Sequence, residues 1–315
     1  MLFGRRRSYL RKAAVAPIDG ICSGDIIVIE AITNKLSPRL LPFVIQSDAL
    51  FAYAVEKSAG SLSPRVKWEK LAEFEFELPS MSMQEELATL LWSAQKTKAR
   101  YRNLLLVADD LVKSQFVEMI ERSKLDGCSE KAFIEFAEFD TNMTTDFERY
   151  ADFPHIGIDS IEPNTGYLTG YRTVSEDNVK SGKYFFNEEN VIYSKIRPAL
   201  NKVALPDFEG LCSADAYPLK ANPDVCTRVF LAQILRSKMF LDYIIPMSSR
   251  SRMPKVNKEQ LAGFKISLPS LSAQESFTSF SHQVDKSKFE LQKALDDLNA
   301  MTKKIVNQEL GLGNV

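Results

Sequence analysis

The chain has 315 residues, 45% of them hydrophobic and 26% charged, with a formal net charge of -1. That length suits about two domains, and no apolar run approaches the roughly 20 residues of a membrane span. The opening MLFGRRRSYL has charge but no apolar segment behind it, so it reads as neither signal peptide nor anchor, and a cytoplasmic location with no membrane contact is expected.

In chain order, IIVIEAI (26–32) has the β-branched run of a buried strand, and residues 45–58 are helix-like. The Gly/Ser/Pro loop AGSLSPR follows, then a short helix over 67–73 and a strand-like FEFEL ending at Pro79. From Ser82 the pattern becomes a long helix, with Ser82 as expected N-cap and Glu85 closing a capping box. Its apolar line is Leu87, Leu90, Ala94, Thr97, Tyr101, Leu104, Ala108, Leu111 and Gln115, spaced alternately three and four as in a heptad seam. Residues 123–130 end that helix, and an acidic stretch leads into a second series of the same signals.

That series is a repeat. Residues 64–85 (PRVKWEKLAEFEFELPSMSMQE) and 254–275 (PKVNKEQLAGFKISLPSLSAQE) are identical at 12 of 22 positions under an ungapped shift of 190. The same shift superposes Gly20, Cys22, Ser23 and Asp25 on Gly210, Cys212, Ser213 and Asp215. A period this long marks a duplicated domain, not a solenoid. The second long helix starts at Ser272 and Glu275, with the line Phe277, Phe280, Val284, Ser287, Leu291, Ala294, Leu298, Met301 and Ile305. Each helix would be a rod of about 60 Å. Two copies meeting through one face are related by a two-fold axis, which predicts an antiparallel pair with a globular module at each end. Residues 1–81 form the first module, 82–123 the first helix, 124–271 the second module and 272–310 the second helix. Leu2 aligns with residue 192, so about 60 residues in the second module have no counterpart in the first, and another chain is one expected source of them.

Charge is unevenly spread. Residues 1–70 and 191–260 each hold 11 Lys/Arg and 6 Asp/Glu, a balance of +5, whereas 125–190 hold 5 and 14, a balance of -9. The two basic segments could carry phosphate contacts; a solvated face is the plainer reading. The four cysteines, Cys22, Cys128, Cys212 and Cys226, form no CxxC pair and read as small buried packing residues.

The repeated order of short helix, strand, Leu-Pro, Ser and Gln before a heptad helix resembles the specificity subunit of Type I restriction-modification enzymes. The matching residues are Leu78, Pro79, Ser80 and Gln84, and again Leu268, Pro269, Ser270, Leu271 and Gln274. Ser80 and Ser270 replace a second proline of the family segment, and Met83 and Ala273 an acidic residue. The resemblance implies an α+β chain with two mixed α/β target-recognition domains, the first incomplete, each followed by a long helix of an antiparallel coiled coil. It implies a non-catalytic subunit that reads a bipartite duplex DNA target and docks methyltransferase, and also restriction or translocase, subunits through its helices. The alternative is a coiled-coil interaction protein that has lost half or all of its DNA reading.

Basic positions recurring in both copies are the candidate DNA contacts: Arg5, Arg7 and Lys12 with Lys195, Arg197 and Lys202, Arg65 with Lys255, and Arg250 and Arg252 in the adjacent Ser-rich loop. Guanidinium groups suit phosphate and the O6/N7 edge of guanine, and ammonium groups suit phosphate. The candidate helix interface is Leu87, Leu90, Ala94, Tyr101, Leu104 and Leu111 against Phe277, Phe280, Val284, Leu291, Leu298 and Ile305. No phosphate loop, dinucleotide fingerprint or amino-methyltransferase tetrapeptide occurs, and the two histidines, His155 and His282, are too few for a metal cluster or a Ser/His/Asp arrangement. No catalytic residue, cofactor or metal is expected.

Overall fold

The computed structural model describes residues 1–248 and 254–312. They fall into two compact units, Met1–Val107 with Ser287–Val315 (unit 1) and Ala108–Lys286 (unit 2). No helix among the described residues is long and apolar enough to cross a membrane.

Unit 1 opens with strands β1 (Leu2–Gly4), β2 (Ala13–Ala14) and β3 (Ile26–Val28), then α1 (Leu41–Ile45), α2 (Asp48–Glu56), α3 (Trp68–Leu71) and the long α4 (Met81–Leu125). Unit 2 contains β4 (Glu130–Ala132), α5 (Phe133–Phe136), β5 (Ala137–Phe139), β6 (Met143–Thr144), β7 (Pro154–Ile156), β8 (Arg172–Thr173) and β9 (Lys183–Phe186). It continues through β10 (Asn190–Ser194), β11 (Val203–Ala204), β12 (Gly210–Cys212), β13 (Ala216–Ala221), α6 (Arg228–Arg236), α7 (Lys238–Ser248), α8 (Lys258–Ala262) and β14 (Lys265–Ser267) to the long α9 (Leu271–Glu309).

The duplication holds at the level of strand register. Unit 1 has one antiparallel sheet, β2-β1-β3, and unit 2 has the sheet β11-β10-β13-β5. Leu2 faces Ala14 and Val28, and Ile192, 190 positions on, faces Ala204 and Pro218. Phe3 faces Ala13 and Ile27, and Tyr193 faces Val203 and Tyr217. Unit 2 adds a second sheet, β6-β9-β12-β7-β8, in which only the β12–β7 pairing is parallel. Sandwiched by it, every residue of β10 is buried, as its Val-Ile-Tyr run suits, whereas β1 buries only Phe3.

Three expected elements differ. The helix over 45–58 is broken at Ser47, whose Oγ accepts the Leu50 N–H at 3.2 Å and starts α2 afresh. FEFEL (74–78) is not a strand, although its twin is β14, paired with β4. Its Glu77 N–H instead donates to the Leu310 carbonyl at 3.1 Å, and no described strand of unit 1 pairs with it. The long helices start two residues early. Ser80 and Ser270, directly after their prolines, cap them by accepting from Met83 N at 3.4 Å and Ala273 N at 3.3 Å.

The motif glutamines explain themselves here. Gln84 accepts from Ser37 N at 2.9 Å and donates to the carbonyls of Lys35 at 3.1 Å and Pro79 at 2.9 Å. Gln274 repeats this with Thr227 N, Val225 and Pro269, each at 2.9 Å. Both are buried, and each satisfies backbone groups that would otherwise be stranded where module meets helix.

The two long helices run antiparallel. In unit 1, Leu87, Ala88 and Leu91 near the start of α4 pack with Val306 and Leu310 near the end of α9. In unit 2, Phe116 near the end of α4 meets Phe277 near the start of α9, ring centroids 6.2 Å apart. The seam has the expected period but a corrected phase. The shielded line is Leu87, Leu91, Ala94, Lys98, Tyr101, Leu105, Ala108, Val112 and Gln115 on α4, and Phe277, Ser281, Val284, Lys288, Leu291, Leu295, Leu298, Thr302 and Ile305 on α9. Alternate expected positions miss it: Leu90, Leu104 and Leu111 are 53%, 47% and 50% exposed, and Met301 and Ser287 are exposed too. Phe280 is half-buried beside Gln115 and Met119. Either of two adjacent residues satisfies a three-four alternation, and in Leu104–Leu105–Leu106 both are apolar, so the period alone leaves a 100° ambiguity. Lys98 enters the line through its aliphatic stem, while burial, with Arg102 beside it, holds its ammonium below the ordinary lysine range.

Candidate nucleic-acid interface

Each copy makes the same irregular turn after its central strand. Beyond β1, Arg7 (φ 52°) and Arg11 (φ 52°) lie in the left-handed region on either side of a 3₁₀ turn, Ser8–Leu10. Beyond β10, Arg197 (φ 47°) and Asn201 (φ 50°) flank the turn Pro198–Leu200 in the same way. An L-residue with a Cβ enters that region at a cost of about 1–2 kcal/mol, so something must hold it there. Arg7 N donates to the Pro64 carbonyl and Arg197 N to the Pro254 carbonyl, both at 2.8 Å. The repeated proline is thus the clamp, and both arginine side chains stand exposed.

The flanking residues repeat as well. Arg5 N donates to Asp25 O and Lys195 N to Asp215 O, both at 3.0 Å. Val66 N returns to Arg5 O at 3.0 Å, and Val256 N to Lys195 O at 2.8 Å. Across this clasp Arg65 pairs with Asp25 at 2.8 Å, with Arg6 at 3.7 Å from the same carboxylate, and Lys255 pairs with Asp215 at 3.2 Å. The Arg65 hydrogen bond, helped by the charges of Arg65, Arg6 and Arg5, holds the Asp25 carboxyl below its ordinary value. Lys195 lies 5.1 Å over the Tyr217 ring, and burial, with Lys255 and Lys258 nearby, lowers its ammonium.

The expected contacts therefore divide. Arg7, Lys12 and Arg197 are exposed, Arg65 and Lys255 are exposed but paired with an aspartate, and Arg5 and Lys195 are half-buried, Arg5 with its Nε enclosed. Lys202 is corrected: it is 8% exposed and its Nζ donates to the Ile158 carbonyl at 2.8 Å, so it serves the interior. Arg250 and Arg252 lie outside the described residues. Arg6 and Arg11 join the basic surface of unit 1, but their counterparts are Ile196 and Asn201, so a search for recurring charges passes over them. The cysteine expectation also splits: Cys212 and Cys226 are buried and Cys22 and Cys128 are exposed.

Chemically, each turn fixes the backbone of an exposed arginine, with further cations beside it and an aspartate paired to one of them. This suits a phosphate backbone, for which Arg and Lys give position and sequence comes from base-edge contacts.

Comparison with known proteins agrees with this geometry. Residues 131–299 match the family described as the Type I restriction modification DNA specificity domain. The Type I restriction enzyme EcoDI specificity subunit of Escherichia coli is 28% identical over 294 residues, 80% of this chain and 65% of that protein, so the chain spans less than two thirds of that curated relative. A chain from a structure of type I R-M system assembly and conformational transition superposes with TM-score 0.56 at 17% identity, over 98% of this chain and 80% of that one. The S subunit of the M. genitalium Type-I restriction-modification system gives 0.53 at 14% identity, over 88% and 73%. At these identities the structural likeness concerns the fold.

Proposed function

The chain belongs to the Type I restriction modification DNA specificity family, and from that premise we propose that it is a non-catalytic, cytoplasmic DNA-reading subunit. Each of its units takes one half of a split duplex target. The observation that carries this reading is the clasped arginine turn, repeated bond for bond at Arg7 and Arg197. The methyltransferase and restriction subunits dock on the paired long helices. Support for docking comes from Leu90 and Leu104, apolar residues that the seam leaves on the open side of α4.

The test is binding of the purified chain, alone and with its methyltransferase subunit, to a random duplex pool across a salt series. Binding should weaken steeply with salt, and sequences recovered from the pool should show two conserved blocks separated by a gap. Arg7→Ala and Arg197→Ala should each lower the salt slope by about one unit. Absence of binding in both settings would sink the proposal and favour a coiled-coil interaction protein.

A further inference from the structure

The outer face of the β10 sheet in unit 2 is sealed. Ile192, Ala204, Cys212 and Ala216 there form a buried cluster with Ile156, Ile161 and Phe186. The first four have counterparts in unit 1, 190 positions earlier: Leu2, Ala14, Cys22 and Ile26. None of those four is buried; Ala14 and Cys22 are exposed and Leu2 and Ile26 half-buried. Leu2, Ala14 and Ile26 line an open groove of about 580 Å³ together with Lys12, Arg6, Arg7 and Asp25. Ile21, wholly exposed, is the counterpart of the fully buried Leu211.

The filled copy shows what fits the open one. The cover of unit 2 comes from residues 131–190, which lay β7 and β9 on either side of β12. It brings apolar Ile156, Ile158 and Ile161 to the cluster, and the Ile158 carbonyl to the Lys202 ammonium at 2.8 Å. It also adds β5 to the edge of β13. In unit 1, Gly20–Cys22 is not a strand, β3 has one neighbour, β1, and Lys12, the counterpart of Lys202, is exposed. Every receiving group is thus present and the pairing register is already set.

We infer that unit 1 is a docking site for a polypeptide segment built like residues 131–190, supplied from outside residues 1–315. The segment places an Ile-x-Ile-x-x-Ile strip in the groove, gives a backbone carbonyl to Lys12, and clamps Gly20–Cys22 between two strands. This goes beyond DNA reading and stands whether or not unit 1 meets DNA.

The probe is a tagged polypeptide of residues 131–190 co-expressed with the full chain. That segment contains no cysteine, so alkylation of the complex, read by mass, reports only the full chain. A one-to-one complex should co-purify, and Cys22, exposed in the chain alone, should become resistant to iodoacetamide while Cys128 still reacts. Lys12→Leu and Ala14→Arg, both at exposed positions, should weaken the complex at least tenfold and restore Cys22 labelling without altering the circular dichroism of the chain. Failure to co-purify overturns the inference, as does a complex in which Cys22 reacts at its original rate. Protection of Cys22 in the chain alone, through dimerisation, assigns the groove to a second copy and equally overturns it.

Discussion

The sheets around β1 and β10 have the same strand order and the same register, yet β10 is buried along its whole length and β1 only at Phe3. The inner faces are alike: Phe3 stacks on Phe51 at 5.4 Å, and Tyr193 meets Phe240 edge-on at 5.8 Å. The outer faces are not. Register in this fold is therefore set from the inside, by the aromatic inner layer and by the proline clasp on the arginine turn. A one-residue slip would throw Phe3 or Tyr193 to the opposite face. The outer cover adds burial to a pattern that already exists.

The comparison breaks most readily at the outer face. Ile192→Ala should cost about 2–5 kcal/mol, whereas Leu2→Ala, at the half-exposed counterpart, should cost about 1 kcal/mol or less. Urea unfolding followed by circular dichroism reads both losses, and tryptophan fluorescence identifies the one in unit 1, where both tryptophans, Trp68 and Trp92, lie. Next in size, Lys202→Met should lose about 1.5–3 kcal/mol with its bond to the Ile158 carbonyl, while Lys12→Met should leave stability within about 0.5 kcal/mol. A loss at Lys12 as large as at Lys202 would mean that unit 1 already holds a cover.

The motif glutamines sharpen the likeness instead of the difference. Gln84→Leu and Gln274→Leu each strand a backbone N–H, the buried one of Ser37 and the half-buried one of Thr227, and each should cost about 1–3 kcal/mol by thermal denaturation. Unequal costs would show that the two joints are not equivalent. The smallest effect concerns pH. The folded carboxyl of Asp25 titrates below its unfolded value of about 3.9, held down by Arg65. Its contribution is therefore present above that value and is lost as pH falls through the folded one. Asp25→Asn should remove a small part of the acid-side slope of stability near pH 3–4, read by acid titration of the Trp signal.

Much of this was legible in the residues. The duplication announced a repeated module, the three-four alternation two long helices and the two-fold argument their antiparallel sense, while the left-handed turns held by Pro64 and Pro254 had no signal in the recurring cations. What was hidden had physical causes. A seam drawn by hydrophobicity does not admit Lys98 and Lys288, whose stems are apolar and whose charges are not, so it passes to Thr97 and Ser287, and at Leu104–Leu105 two adjacent leucines leave hydrophobicity no choice to make. FEFEL looks the same in isolation whether or not a β4 exists to pair with it. Lys12 and Lys202 are one residue type at equivalent positions, and the carbonyl 2.8 Å from Lys202 belongs to a segment that the sequence around Lys12 does not announce.

The two lysines on the shielded helix line bear on how the rods choose their direction. Lys98 and Lys288 are equivalent positions, and Lys98 lines a hollow with Asn299 and Thr302 of the opposing helix. Were the helices to lie side by side in the same sense and in step, the two ammonium groups would be forced together in a water-poor trough. Like-charge repulsion between equivalent residues thus adds a cost to same-sense pairing that the antiparallel pair does not bear.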